Sequence, residues 1–230
     1  MRKLLDGTGA LVVALILSAS LGAPTTATAQ EGASADPEIV EEAAPTTPVA
    51  GTTDVVSVPV EGDKLAITIE GSANGTVVID LFEDVAPQHA AQLKALAQQG
   101  AYDGVVFHRV IDGFMAQTGD VEFGDSTAEN FDMRRAGTGG SELDDIPLEA
   151  SDELSFTRGM VGMARAQNPD SANSQFFIMF EDGPFLDGDY TIVGEVTEGM
   201  DVIDEIKRGT GPNGAVVGEA DVMTTVRVLE

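Results

Sequence analysis

From Leu65 onward the hydrophobic positions change period several times, and each change marks an element. Leu65, Ile67 and Ile69 alternate with Ala66, Thr68 and Glu70, the period of two of a half-buried strand. Asn74-Gly75 predicts a hairpin turn into a second strand, Val77-Val78-Ile79-Asp80-Leu81, and hence an antiparallel pair. Pro87 suits the first helical position after Asp84-Val85-Ala86; good helix formers follow through Gln99 with Leu93, Leu96 and Ala97 on one face, and Gly100 ends the run. Val105-Val106-Phe107 with Val110-Ile111, then Phe176 to Phe180, then Thr191 to Val196, predict further strands. Met200 to Lys207 predicts a second short helix stopped by Gly209, and Val222 to Leu229 a last strand. Six or more strands with two helices, and no regular βαβ alternation, predict a mainly β fold built on an antiparallel sheet or barrel.

The first fifty residues follow other rules. Met1-Arg2-Lys3, the apolar run Ala10 to Leu17 and the small-residue stretch with Ala27-Thr28-Ala29 have the layout of a secretory signal peptide over 1–29, although Asp6 is irregular in it. That run is well short of the roughly 20 apolar residues that span a bilayer, so cleavage and export, to the periplasm with secretion as the alternative, are expected rather than stable membrane insertion. Residues 30–53, rich in Ala, Pro, Thr and Glu, show no apolar period and cannot offset their ordering entropy; a flexible tether is expected there, ahead of a folded domain over 54–230.

Composition narrows the chemistry. Among 230 residues, 39 Asp and Glu face 12 Lys and Arg, and the resulting charge of −27 repels phosphate backbones and anionic lipid, so nucleic acid is not an expected partner. The absence of Cys removes disulfides, thiolate metal sites and any Cys nucleophile. Only His89 and His108 are present, which disfavours a multi-His metal site and leaves few general bases near neutral pH.

Unusual side chains concentrate in FHRVIDGFMAQTGD (107–120), GMARAQNPDSANSQFFI (162–178) and FLDGDYTIVGEV (185–196). In order and spacing these words resemble the cyclophilins, the peptidyl-prolyl cis-trans isomerases, and in particular their bacterial secreted members, over about Lys64 to Leu229. The resemblance implies a closed eight-stranded antiparallel barrel capped by two helices, a monomer that needs no cofactor, and proline-containing peptides or unfolded chains as partners. It also implies a site on the outside of the barrel, because side chains fill the interior of so small a barrel. Arg109 and Gln117 are then the catalytic pair. Phe114, Met115, Phe177 and Leu186 make the apolar pocket for the proline ring, and Phe185 and Tyr190 the rest of its wall. Ala164, Arg165 and Ala166 match the segment that pairs with the peptide backbone, with Gln175 beside it. Phe185, Tyr190 and Arg165 replace the Trp, His and Asn of eukaryotic members. The first two replacements bear on cyclosporin binding more than on catalysis, and the third on substrate charge.

This chemistry needs no acid–base pair. Rotation about an X-Pro bond must break amide resonance, a barrier of roughly 18–20 kcal/mol that makes the uncatalysed process take about 10–100 s. Twisting leaves a pyramidal, basic nitrogen that a fixed donor such as Arg109 can stabilise. A non-catalytic cyclophilin-like module that only holds proline peptides remains the alternative; a hydrolase lacks a placed nucleophile and base. Of the neighbouring residues, Phe107, Phe176 and Ile178 are expected in the core, His108 as a hydrogen-bonded structural histidine, and His89 as partly exposed or structural. The carboxylates of Asp182 to Asp189 and the glycines of 137–140 read as turn and loop chemistry rather than as calcium or dinucleotide sites.

Overall fold

Two seven-residue strands, Lys64–Glu70 (β1) and Gly75–Leu81 (β2), pair antiparallel as the alternation requires, and Leu65, Ile67 and Ile69 of β1 face the core. The computed structural model describes residues 64–229. The expected signal peptide, the tether and the start of the domain lie outside these residues.

The connection between β1 and β2 is longer than a two-residue Asn-Gly turn. Gly75 is already in β2, opposite Ile69, and a Cβ there would lie 2.6 Å from Val202, so packing accounts for this glycine. Helix α1 runs Pro87–Gln98. Its Ala86 cap offers no side-chain acceptor; instead Glu149 reaches in from a loop and accepts the N–H groups of Gln88 and His89. A carboxylate there satisfies orphan donors and complements the helix dipole. The helix ends in a Schellman motif: Gly100, at φ 72°, donates to the Ala97 carbonyl and Ala101 to that of Leu96.

Seven further strands follow: Val105–Val106 (β3), Arg109–Ile111 (β4), Met115–Thr118 (β5), Met160–Met163 (β6), Phe176–Met179 (β7), Ile192–Glu198 (β8) and Val222–Leu229 (β9), with helix α2 at Met200–Glu205. All pair antiparallel in the order β3-β9-β1-β2-β8-β6-β7-β5-β4. The two ends of that order are halves of one chain segment, interrupted only at Phe107-His108, so the sheet curls until residues 105–111 touch both β9 and β5. Counted as one strand, this segment gives the eight that the resemblance implies.

Side-chain alternation sorts the sheet into two apolar clusters. Ala116, Phe176 and Ile178 face inward with Leu65, Ile79 and Phe107, and α1 adds Leu93, Leu96 and Ala97 to the same core. Their strand neighbours Met115, Phe177 and Met179 face the other way and build a second cluster with Phe82, Phe156, Leu186 and Ile192. That outer cluster carries the candidate site.

Candidate active site

The register of four strands lays out a row of functional positions. Arg109 of β4 pairs with Gln117 of β5, Gln117 with Phe177 of β7, and Phe177 with Gly162 of β6. Directly paired residues share a face, so the cation, the amide and the aromatic ring stand side by side. Gly113, at φ 65°, makes the tight turn that returns β4 into β5.

Arg109 is held on two sides. Its Nη1 donates to Gln117 Oε1 at 3.0 Å and its Nε to the Asn213 carbonyl at 3.0 Å, while Met115 Sδ lies 3.9 Å from Nη1. Among the described residues Nη2 has no acceptor. Burial draws its pKa down, opposed in part by Tyr190, but a guanidinium stays charged in proteins. Gln117 in turn donates to Gln175 Oε1 at 2.9 Å, and Gln175 to the Gly139 carbonyl at 2.7 Å.

Next to this polar row lies the outer apolar cluster. Met115, Phe177 and Leu186 are buried in it; Phe114 and Tyr190 are half-buried and pack against it. Tyr190 meets Phe177 edge-on, with ring centroids 6.0 Å apart and planes at 84°. Phe156 stacks beneath Phe177 at 5.6 Å. Gly162 makes room for both rings, since a Cβ there would lie 2.4 Å from Phe177 and 2.6 Å from Phe156. Phe185 is 69% exposed yet its ring lies 5.6 Å from that of Phe114, an apolar lip awaiting a neighbour.

Past the end of β6 the chain leaves an open edge. Ala164 donates its N–H to the Gln175 carbonyl at 2.9 Å and Ala166 to Ser171 Oγ at 2.9 Å, whereas among the described residues the Arg165 N–H and the Ala164 carbonyl have no partner. Arg165 lies 4.4 Å over the Tyr190 ring and donates to the Asp189 carbonyl at 3.1 and 3.0 Å, which fixes a second cation at the rim. The contacts run from Arg109 through Gln117 and Gln175 on the polar side, and from Met115 and Phe177 through Tyr190 to Arg165 on the apolar side.

A family model described as cyclophilin type peptidyl-prolyl cis-trans isomerase/CLD matches residues 65–228. The chain belongs to this family. It is 61% identical over 144 residues to a protein of Brucella suis named probable peptidyl-prolyl cis-trans isomerase, covering 62% of this chain and 72% of that relative. It is 39% identical over 150 residues to peptidyl-prolyl cis-trans isomerase B of Escherichia coli, covering 61% and 84%. A cyclophilin type isomerase of Cryptosporidium parvum has the same fold, with a TM-score of 0.61 at 24% identity over 73% of this chain and 98% of its own, and a second structure of it was determined in the presence of the dipeptide Ala-Pro. Family and relatives alike place the chain among the peptidyl-prolyl cis-trans isomerases.

One expectation needs correction. His108 is buried, but among the described residues neither ring nitrogen has a hydrogen-bond partner, and burial lowers its pKa to about 4. A ring so shielded stays neutral, which suits a packing role against Gly137. For His89 the structural reading holds: it is fully buried, with Nδ1 2.6 Å from Glu149 Oε2. Burial lowers its pKa, against the opposing pull of Glu149. Two carboxylates of the 182–189 stretch tie it to a distant segment: Asp187 accepts Ser155 Oγ and Phe156 N–H, and Asp182 accepts Arg158 N–H.

Sequence reasoning missed Phe156, Asn213 and Asp120. None belongs to a periodic run, and each meets the site only through tertiary folding.

Proposed function

We propose that this chain accelerates cis/trans isomerisation of X-Pro bonds during protein folding, with Arg109 stabilising the twisted amide. The observation that supports the reading is the placement of a guanidinium, fixed at Nη1 and Nε but open at Nη2, beside the apolar cluster of Met115, Phe177 and Leu186. The proline ring would sit on Phe177, the open edge at Ala164–Ala166 would pair with the flanking backbone, and Arg109 would donate to the pyramidal nitrogen. Because Arg109 is fixed before substrate arrives, its donors need no reorganisation as the amide twists.

Proline-containing segments of unfolded chains are the expected partners, and the leader at 1–29 supports export to the periplasm as the setting. The non-catalytic alternative, a module that only holds proline peptides, would not require so closely fixed an Arg109. A protease-coupled isomerisation assay on an X-Pro peptide tests the reading. Acceleration by the wild type that Arg109→Ala abolishes is expected; an inactive wild type overturns it.

A further inference from the structure

Asp120 is fully buried and takes no part in the outer apolar cluster, yet four backbone N–H groups converge on its carboxylate. Glu122 and Phe123 donate to Oδ1 at 3.1 and 3.0 Å, and Gly137 and Gly139 donate to Oδ2 at 2.7 and 3.0 Å. So dense a set of donors on a buried acid fixes the loop of residues 137–140. The loop lies pressed onto it: a Cβ at Gly139 would be 2.7 Å from Asp120 Oδ1 and 2.8 Å from both Glu122 and Phe123.

The far side of Gly139 faces the site. Its carbonyl accepts from Gln175 Nε2, whose Oε1 accepts from Gln117 Nε2, whose Oε1 accepts from Arg109 Nη1. A glutamine amide can turn over, and either orientation has a donor and an acceptor to offer. Polarity in such a relay is set by its ends. Arg109 can only donate, and the Gly139 carbonyl can only accept. If that carbonyl moved away, Gln175 could turn its NH2 toward Gln117, and Gln117 its NH2 toward Arg109, leaving donor against donor at the guanidinium.

Resting on the isomerase reading above, we infer that Asp120 is a positioning residue for Arg109, acting through Gly139, Gln175 and Gln117. It anchors the one acceptor that cannot turn over, and so selects the orientation in which Gln117 offers its oxygen to the guanidinium.

The test is Asp120→Asn, which keeps the shape of the side chain but sets an NH2 group against one pair of backbone donors. The kcat for an X-Pro peptide is expected to fall about tenfold while KM stays within about twofold, the pattern of an interaction felt in the transition state. The Arg109 Nε–H and the Gln117 and Gln175 side-chain amide resonances are expected to move. In a Gln175→Leu background, where the relay is already cut, adding Asp120→Asn is expected to cost less than about twofold in kcat, since residues acting through one network are not additive. A drop in Tm alone, with kcat and those resonances at wild-type values, or losses that multiply in the double variant, overturns the inference. If the wild type has no isomerase activity the functional reading fails by itself, and the resonances still decide whether Asp120 controls Arg109. Should Asp120→Asn not fold, Gln175→Glu serves instead. It sets an acceptor against the Gly139 carbonyl, and hydrogen exchange at the Gly137 and Gly139 amides is expected to quicken about tenfold; unchanged exchange overturns the inference.

Discussion

Asn213 turns its backbone carbonyl to within 3.0 Å of Arg109 Nε, and it does so at φ 55°, the sole positive φ outside glycine among the described residues. The left-handed region costs most residues energy, Asn less than most, and such strain collects at functional sites. Asn213→Gly retains both the conformation and the carbonyl, and its kcat/KM is expected within about twofold of wild type. Asn213→Val, whose β-branched side chain opposes this conformation, is expected to lose at least about tenfold. Steady-state kinetics on the two variants, each checked for fold by circular dichroism, separates the carbonyl from the side chain.

Gly162→Ala probes the packing of the outer apolar cluster. Its methyl would enter within 2.4 Å of Phe177 and 2.6 Å of Phe156, so one or both rings must shift. Overpacking of this kind typically costs about 1–3 kcal/mol. A lowered denaturation midpoint together with a raised KM for the X-Pro peptide is expected if the proline ring sits on Phe177 as proposed.

Acid should weaken the fold well above the range of ordinary carboxylates. His108 has a folded-state pKa of about 4 against a reference value of 6.5, so the unfolded chain binds its proton first as pH falls. Stability contributed by keeping this ring neutral is present above about pH 6.5 and is lost progressively down to about pH 4, a total of about 3 kcal/mol. His89, lowered by burial, acts in the same direction. Glu149 and Asp103 act differently. Burial disfavours the Glu149 carboxylate, but bonds from His89 and Gln88 outweigh it; Asp103 is lowered by its bond from Arg227. Their contributions are lost only at lower pH, through the depressed folded-state values. Urea denaturation across this range should show a steeper fall for wild type than for His108→Gln between about pH 6.5 and pH 4.

Arg165 should bias substrate choice. Its guanidinium is fixed against Tyr190 and the Asp189 carbonyl, so its charge stands at the rim wherever the peptide enters. Glu-X-Pro peptides are expected to turn over several-fold faster than Lys-X-Pro peptides, and Arg165→Asn is expected to narrow the ratio toward unity. Raised salt should narrow it too, since exposed charges are screened. Equal rates for the two peptides in wild type would count against a role for this charge.

How much of this was legible in the chain depended on whether a residue's neighbours were local. Strand β1 and helix α1 carry clean periods and stand where these predict, and β9 spans the expected Val222 to Leu229. Strands β5 and β6 are not evident, because Ala116, Gln117 and Gly162 have little strand preference and owe their conformation to pairing with β7. The pocket residues were readable because their spacing follows the family. Asn213 and Phe156 were not, since the first acts through a backbone carbonyl that any residue has, and the second is an ordinary aromatic until the fold slides it beneath Phe177. His89 shows the same limit: its hydrogen-bond partner is Glu149, sixty residues further along the chain.

The central claim is that a preset Arg109 guanidinium performs the isomerisation. A protease-coupled assay at a fixed peptide concentration should compare wild type, Arg109→Lys and Arg109→Ala, each with its Tm. The Ala variant is expected to fold with little change in Tm and to lose at least about 100-fold in kcat/KM, equivalent to about 2.7 kcal/mol of transition-state stabilisation. The Lys variant, which keeps charge but loses the planar fork that Gln117 and Asn213 hold, should recover little of it. If Arg109→Ala accelerates the reaction as well as wild type does, the claim is contradicted.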